Sequence, residues 1–510
     1  MIPLEWMPPL MFGGLVVFML IGFPVAFSLM AAALFFSIIA MSEGFFGMAF
    51  LQAIPQRIFG SVLANDLLLA IPFFTFMGAI LERCGLAEEM LDSMGQLFGR
   101  VRGGLGYSVI IVGFILGAIT GTVAAQVIAM AMISLPVMMR YGYNMRYATG
   151  VLAASGTITQ LVPPSLVLIV LADQLKTQTG SADVGSMYLG AWGPSLLQIG
   201  LFALYTFFLA RLRPDDLPAV PQSDLTLKGW MLWKTCLMGI IPSAVLIFLV
   251  LGTIMTGIAT PTESGAMGAM GALLLAWLRR AKIPNLKNLI QQAYQNTMRI
   301  TAMVVFILIG STCFSVVFQG VDGGRWVEEL FSNLPGGWVG FLIVVNLFVF
   351  FLAFFLDFFE IAFIVVPMLA PVAVKLLSPV LLESMNGNPQ AAASAALVWF
   401  GVMLCVNMQT SFMHPPFGFA LFYLRGVAPK EVKSSDIYWG ALPWVGLQLI
   451  MVVVVMAFPA LVTTLLDKPA AVVQSQEFNF ITNDESKSES PTNKVDEDAP
   501  VNFQLDKPSR

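Results

Sequence analysis

The sequence predicts an all-α polytopic membrane protein made of two inverted repeats, each holding a re-entrant hairpin and a broken helix. Composition gives the class: 58% of the 510 residues are hydrophobic and 11% charged, and the apolar runs are long enough to cross a bilayer. Repetition gives the architecture. Pro24 is matched by Pro261, Gly85 by Gly320, Gly103-Gly104 by Gly336-Gly337, Pro136 by Pro371, and Pro163-Pro164 by Pro415-Pro416. The offsets are 237, 235, 233, 235 and 252, constant until an insertion that the polar stretch 381–390 can supply. An internal repeat in a helical membrane chain points toward a transporter.

Ten crossings are expected. Segments near 8–22, 23–41, 66–82, 147–172 and 188–210 cross in a first repeat over residues 1–212. Segments near 235–257, 261–278, 300–318, 393–424 and 437–465 cross in a second over 235–466, after an inter-repeat loop at 213–234. The hairpins, about 103–140 and about 338–375, are inferred from length. Arms 104–116 and 123–138 hold 13 and 16 residues, roughly 20 and 24 Å at 1.5 Å per residue, short of a core about 30 Å thick. The same arithmetic applies to 338–353 and 361–374; one long tilted helix per pair stays open as the other reading. Connectors 85–102 and 320–335 carry Glu88, Glu89, Asp92, Glu328 and Glu329 on amphipathic patterns and are expected to lie along the membrane surface. Residues 467–510, polar and rich in Ser, Asn, Asp and Glu, read as a disordered tail.

Charge gives the inversion. Residues 279–299 hold Arg279, Arg280, Lys282, Lys287 and Arg299 with no acid, whereas the matching stretch 42–65 has only Glu43 and Arg57. Arg140 and Arg146 stand without acids, while the counterpart of that loop pairs Lys375 with Glu383. Arg425, Lys430 and Lys433 outnumber Glu431 and Asp436, against Asp173, Lys176 and Asp183 in the matching loop. Positive loops face the cytoplasm, so an odd number of crossings per repeat turns one half over. Residues 1–9 carry no Lys or Arg, so the chain is expected to insert through its first span without a cleavable signal.

Several chemistries are poorly supported. Cys84, Cys236, Cys313 and Cys405 are scattered, without metal-ligand spacing. His414 is the one histidine, which excludes a multi-histidine metal site. The net charge of −4 comes from the tail and says nothing of substrate, and no nucleic-acid partner is expected. The polar groups cluster instead at four helix breaks, where hydrocarbon tolerates unwound backbone only if protein or trapped water satisfies it. The hairpin tips are 117–122, with Thr120, Gly121 and Thr122, and 356–360, with Asp357 and Glu360. The broken crossings are 155–160, with Ser155, Thr157, Thr159 and Gln160, ahead of Pro163-Pro164, and 407–411, with Asn407, Gln409, Thr410 and Ser411, ahead of Pro415-Pro416. Proline lacks the N–H that closes a turn, so carbonyls one turn earlier are freed. Those carbonyls and hydroxyls form a hard-oxygen cage suited to an alkali cation. Thr120, Gly121, Thr122, Thr157, Thr159, Asp357, Thr410 and Ser411 are therefore the sodium candidates, and Gln126, Gln160, Gln409 and His414 the substrate candidates. Each has a plainer reading: Ser and Thr hydroxyls in membrane helices bond the preceding turn, small residues serve close packing, Glu360 supports Asp357, and His414 is a hydrogen-bonded structural residue.

At these residues the chain resembles the large membrane subunit of the tripartite ATP-independent periplasmic (TRAP) transporters, the DctM-like family, over about residues 8–466. The resemblance rests on Ile71-Pro72-Phe73-Phe74, residues 117–122, Leu161-Val162-Pro163-Pro164-Ser165, Thr260-Pro261-Thr262-Glu263 and Pro415-Pro416-Phe417-Gly418. It implies an elevator-type fold in the bacterial inner membrane and sodium-coupled uptake of an organic acid. It also implies a periplasmic substrate-binding protein and a small four-helix membrane subunit, expected as a separate chain. The first tip departs from the family's usual Gly-Ser, reading Gly121-Thr122. The expectation is a permease subunit importing a small organic anion, no enzyme, with no cofactor beyond sodium as coupling ion. No Gly-rich Lys-Ser/Thr loop for a nucleotide is present. The alternatives are a stand-alone sodium/anion symporter of the divalent-anion type and, less favoured, a membrane-embedded enzyme using Asp357 and Glu360.

Overall fold

Every regular element among the described residues is a helix, with one isolated bridge between Lys176 and Ser181. The computed structural model describes residues 3–177, 180–225, 229–283, 285–332, 334–414 and 418–468; the expected disordered tail lies almost wholly outside them. The helices are α1 (Met7–Leu20), α2 (Val25–Ser42), α3 (Met48–Leu51), α4 (Ala53–Ile58), α5 (Ala70–Arg83), α6 (Leu86–Phe98), α7 (Gly104–Thr120), α8 (Val123–Arg140), α9 (Met145–Thr157), α10 (Leu166–Gln174) and α11 (Val184–Leu212). There follow α12 (Gly229–Met255), α13 (Pro261–Leu278), α14 (Leu286–Gly320), α15 (Gly323–Ser332), α16 (Gly337–Leu352), α17 (Phe358–Ile364), α18 (Val366–Leu381), α19 (Pro389–Met408), α20 (Phe419–Val427), α21 (Ser434–Ala457) and α22 (Ala460–Thr463).

Seven helical stretches are long and apolar enough to span a bilayer alone, and up to ten if each of three bent pairs counts as one span. The outer surface fits that medium: Phe248, Ile258, Leu212 and Trp230 are each more than three-quarters exposed, which water would penalise and lipid does not. The centre is α19 with the 3-10 turn after it, 89% buried against 28% for α11. Its Ala-rich start lets α18, α10 and α21 approach closely, and Trp399 Nε1 donates to Val455 O of α21 at 2.9 Å. A flanking layer pairs α14 with α2 and α5, α5 with α13, and α12 with α13 and α6. A close crossing joins α9 to α21, where a methyl on Gly150 would sit 2.2 Å from Gly440 O and one on Gly440 2.2 Å from Arg146 O.

Both amphipathic connectors are helices, α6 and α15, and α15 meets α16 at 118°. Glu89 of α6 is held by Arg279 at 2.7 Å and Lys282 at 2.5 Å, from the turn after α13. Glu328 of α15 pairs with Lys375 of α18.

The structure departs from the sequence reading in four places. Residues 42–65, read as a loop, contain α3, α4 and a π turn at Phe59–Leu63, and this segment bends by 49° into the stretch ending with α5. Crossing 300–318 is part of a 35-residue helix, because Asn285 caps its start through Asn288 N and no proline interrupts it; Lys287 and Arg299 are helical. The arms of the first hairpin are 17 and 18 residues, roughly 26 and 27 Å, because Gly117 to Thr120 stay helical and only Gly121 and Thr122 unwind. At those lengths each arm comes within a few ångströms of a core about 30 Å thick. The outgoing arm of the second hairpin is bent by 61° between α17 and α18, where Pro367 cannot donate to the ladder.

Candidate functional site

Each break is made by its own residues. At the first tip Gly121 adopts φ +63°, the left-handed region that glycine enters freely, and Thr122 is extended and half-exposed at the start of α8. Of Thr120 only its place at the end of α7 is described. At the second tip Asp357 caps α17: its carboxylate accepts from Glu360 N at 3.0 Å, while the Glu360 carboxylate accepts from Asp357 N at 2.9 Å. This reciprocal capping box is the supporting role foreseen for Glu360, and it occupies one oxygen of Asp357.

In the first broken crossing α9 ends at Thr157, Ile158–Gln160 form a 3-10 turn, and α10 begins at Leu166 under a Ser165 cap on Val167 N at 3.1 Å. Pro164 cannot bond the Gln160 carbonyl, which accepts instead from Ser165 Oγ and from Cys405 Sγ at 3.2 Å. Pro163 likewise offers nothing to the Thr159 carbonyl. The second broken crossing repeats the plan, with α19, a 3-10 turn at Gln409–Phe412 and α20. Pro415 and Pro416 lie outside the described residues.

The hydroxyls donate to the preceding turn, as the plainer reading expects: Thr157 to Ala154 O at 2.8 Å, Thr159 to Gly156 O at 2.8 Å, Thr410 to Asn407 O at 2.7 Å, and Ser411 to Met408 O at 2.7 Å. Donation spends the proton and leaves oxygen lone pairs. The bonds of Thr159 and Ser411 are equivalent under the 252-residue offset of the double prolines.

A second equivalence ties hairpin to broken helix. Gln126, fully buried on α8, donates from Nε2 to Gly113 O of α7 at 2.6 Å and to Ser155 O of α9 at 3.0 Å, while its Oε1 lies against Thr159 Oγ1 and competes with Gly156 O for that hydroxyl's one proton. Gly113 corresponds to Asn346 under the 233-residue offset of the paired glycines, and Asn346 O accepts from Asn407 Nδ2 at 2.8 Å. Both halves thus clamp the same carbonyl of the hairpin's first arm with a side-chain amide. Ser155 and Asn407 are equivalent under the 252-residue offset, and Ser155 Oγ and Asn407 Oδ1 are both buried without a hydrogen-bond partner among the described residues. Buried polar oxygens without partners are rare.

The substrate candidates divide. Gln126 is a strut. Gln409 is paired with Gln198 of α11, by bonds of 2.7 and 3.3 Å. The Gln160 amide is buried without a partner among the described residues, and His414 is buried at the second break. His414 has the hydrogen bond of the plainer reading, with the Ala353 backbone, and its ring stacks on Phe354 at 4.1 Å and meets the edge of Phe350 at 4.5 Å. Ser155 belongs to the break read from the sequence but not to the sodium candidates; sequence reasoning missed Asn346, Gln198 and Gln448, whose Nε2 donates to Thr157 Oγ1 at 2.9 Å. The signal for these three is one polar residue inside an apolar run. Among the described residues no group of three or more His, Cys, Asp or Glu could hold a metal; neutral oxygens dominate the breaks.

This order of hairpins and broken helices agrees with a sequence profile of the tripartite ATP-independent periplasmic transporter, DctM component, which matches residues 12–461. The chain belongs to that family. A C4-dicarboxylate TRAP transporter large permease protein DctM of Rhodobacter capsulatus is 27% identical over 462 residues, 89% of this chain and 97% of its own. A sialic acid TRAP transporter large permease protein SiaM of Vibrio cholerae is 25% identical over 86% of this chain and 93% of its own. The isethionate TRAP transporter permease protein DctMQ of Oleidesulfovibrio alaskensis, 24% identical, matches 89% of this chain but 65% of itself. Among solved structures the Alcanivorax borkumensis YdaH transporter shares the fold, with a TM-score of 0.54 at 16% identity over 81% of this chain and 90% of YdaH. The chain is a TRAP transporter large permease, a multi-pass inner-membrane protein whose relatives are permeases rather than enzymes.

Proposed function

We propose that this permease imports a small organic acid in symport with sodium, receiving it from a periplasmic binding protein and working with a small four-helix membrane subunit. The observation that carries the sodium half is the pair of buried, partnerless oxygens on Ser155 and Asn407, at equivalent places in the two halves, beside hydroxyls whose protons are already spent. Neutral oxygen ligands of this kind suit a hard cation, and unwound backbone at broken helices supplies the rest of such a cage. Thr159, Thr157 and the Gly121–Thr122 tip would serve one site, and Thr410, Ser411 and Asp357 the other. The organic acid follows from the relatives, whose names carry C4-dicarboxylate, sialic acid and isethionate. The Gln160 amide, partnerless among the described residues, and the His414 ring are the donors this reading gives to it.

Sodium bound at both tip-and-break pairs would order the hairpins around the substrate, and the loaded unit would then slide past the flanking helices. The stand-alone symporter is the second reading, and it requires uptake by this chain alone. Mass spectrometry of what co-purifies with the tagged chain from its native membrane separates them. A small four-span protein supports the tripartite reading, and a solitary chain that transports unaided overturns it.

A further inference from the structure

Where α9 and α21 begin and α11 ends, a pocket of about 300 Å³ opens between the helices, lined by Arg146, Arg213, Tyr205, Trp439 and Trp444. We propose that it binds the phosphate-bearing headgroup of an anionic membrane phospholipid.

Two guanidiniums face one lining carboxylate, that of Asp216. Arg146 bonds Asp436 through Nε at 3.2 Å, and Arg213 reaches Asp216 only at 4.0 Å. A guanidinium carries five N–H donors, and its flat fork matches two phosphate oxygens at once, so both arginines keep donors for an anion. The aromatic lining is what the boundary between headgroups and acyl chains selects. The surface below argues for a lipid over free phosphate. Leu204, Phe208 and Leu212 descend α11 at successive turns and, with Leu442 of α21, are exposed apolar side chains along which acyl chains can lie. The charge asymmetry of the loops places Arg146 and the basic segment before α21 on the cytoplasmic side. Anionic lipids give that leaflet its negative potential, and basic pockets between membrane helices there accept such headgroups. A lipid so placed would pin the start of α9, the helix that leads into the Thr157–Gln160 break, against α11 and α21.

The test uses the full chain in nanodiscs, with any co-purifying subunit retained. Retention of phosphatidylglycerol and of phosphatidylcholine is measured by native mass spectrometry, with inorganic phosphate as competitor. The expected result is selective retention of phosphatidylglycerol, weakened at least tenfold in Arg213→Gln and largely kept in Arg213→Lys, with inorganic phosphate unable to compete. Arg213→Gln leaves the Arg146–Asp436 pair in place, and an unchanged melting temperature establishes that it folds. Equal retention of the two lipids, or wild-type retention in both Arg213→Gln and Arg146→Gln, overturns the proposal; displacement by inorganic phosphate overturns the lipid as its source.

Discussion

Replacing Gln126 by leucine tests the strut between hairpin and broken helix. The two side chains are close in volume, so the change removes hydrogen bonds more than it opens a cavity. Two bonds are lost outright, to Gly113 O and Ser155 O, while Thr159 keeps Gly156 O as acceptor. Side-chain hydrogen bonds inside membrane bundles average about 0.6 kcal/mol each, so the loss is about 1.2 kcal/mol, roughly an eightfold shift in the docking equilibrium of hairpin and break. Since the same Thr159 serves the proposed sodium site, the sodium concentration for half-maximal uptake should rise, by up to that factor, at unchanged substrate dependence once sodium saturates. The assay is uptake against sodium concentration in proteoliposomes, with melting temperature in detergent as control. Wild-type sodium dependence together with a wild-type melting temperature would refute the strut.

Four further outcomes are expected. Thr159→Ala and Ser411→Ala should each raise the sodium requirement for uptake, and unchanged curves in both would remove those hydroxyls from the cage. His414→Phe keeps the stack on Phe354 and Phe350, so folding should persist while the substrate concentration for half-maximal uptake rises; no change would return His414 to a packing role. Gly150→Ala places a methyl 2.2 Å from Gly440 O and should cost about 1–3 kcal/mol in unfolding measurements, whereas Gly200→Ala meets no atom within 4 Å and should be silent. Burial opposes ionisation of Glu89, but hydrogen bonds and charge from Lys282 and Arg279 outweigh it and hold the carboxyl below its ordinary value. A lowered folded value stabilises above the unfolded pKa, about 4.3, and is lost as pH falls through the folded one. Melting temperatures from pH 7 to 3 should therefore fall less steeply in Glu89→Gln.

The punctuation of this fold was legible because glycine and proline act locally. Gly103, Gly121 and Gly336 adopt positive φ at hairpin starts and a tip, and Pro163-Pro164 interrupts a helix just where the missing N–H predicts. The Asp357 cap could be read from an acid followed three residues later by Glu360. What stayed hidden depends on neighbours far along the chain. Gln409 reads as a pocket donor until Gln198, 211 residues away, takes both ends of its amide. Gln126 reads the same way until Gly113 O and Ser155 O claim it. The first hairpin's arms read short in the sequence because the small residues before the tip suggest unwinding, whereas Gly117 lies close against Thr159 and the helix runs on to Thr120.

The most direct test of the account is uptake of a labelled organic acid into proteoliposomes holding this chain with its small subunit and binding protein. The account predicts accumulation driven by an inward sodium gradient, abolished when sodium is equal on both sides or when the binding protein is omitted. Accumulation that persists without a sodium gradient, or by this chain alone, would contradict it.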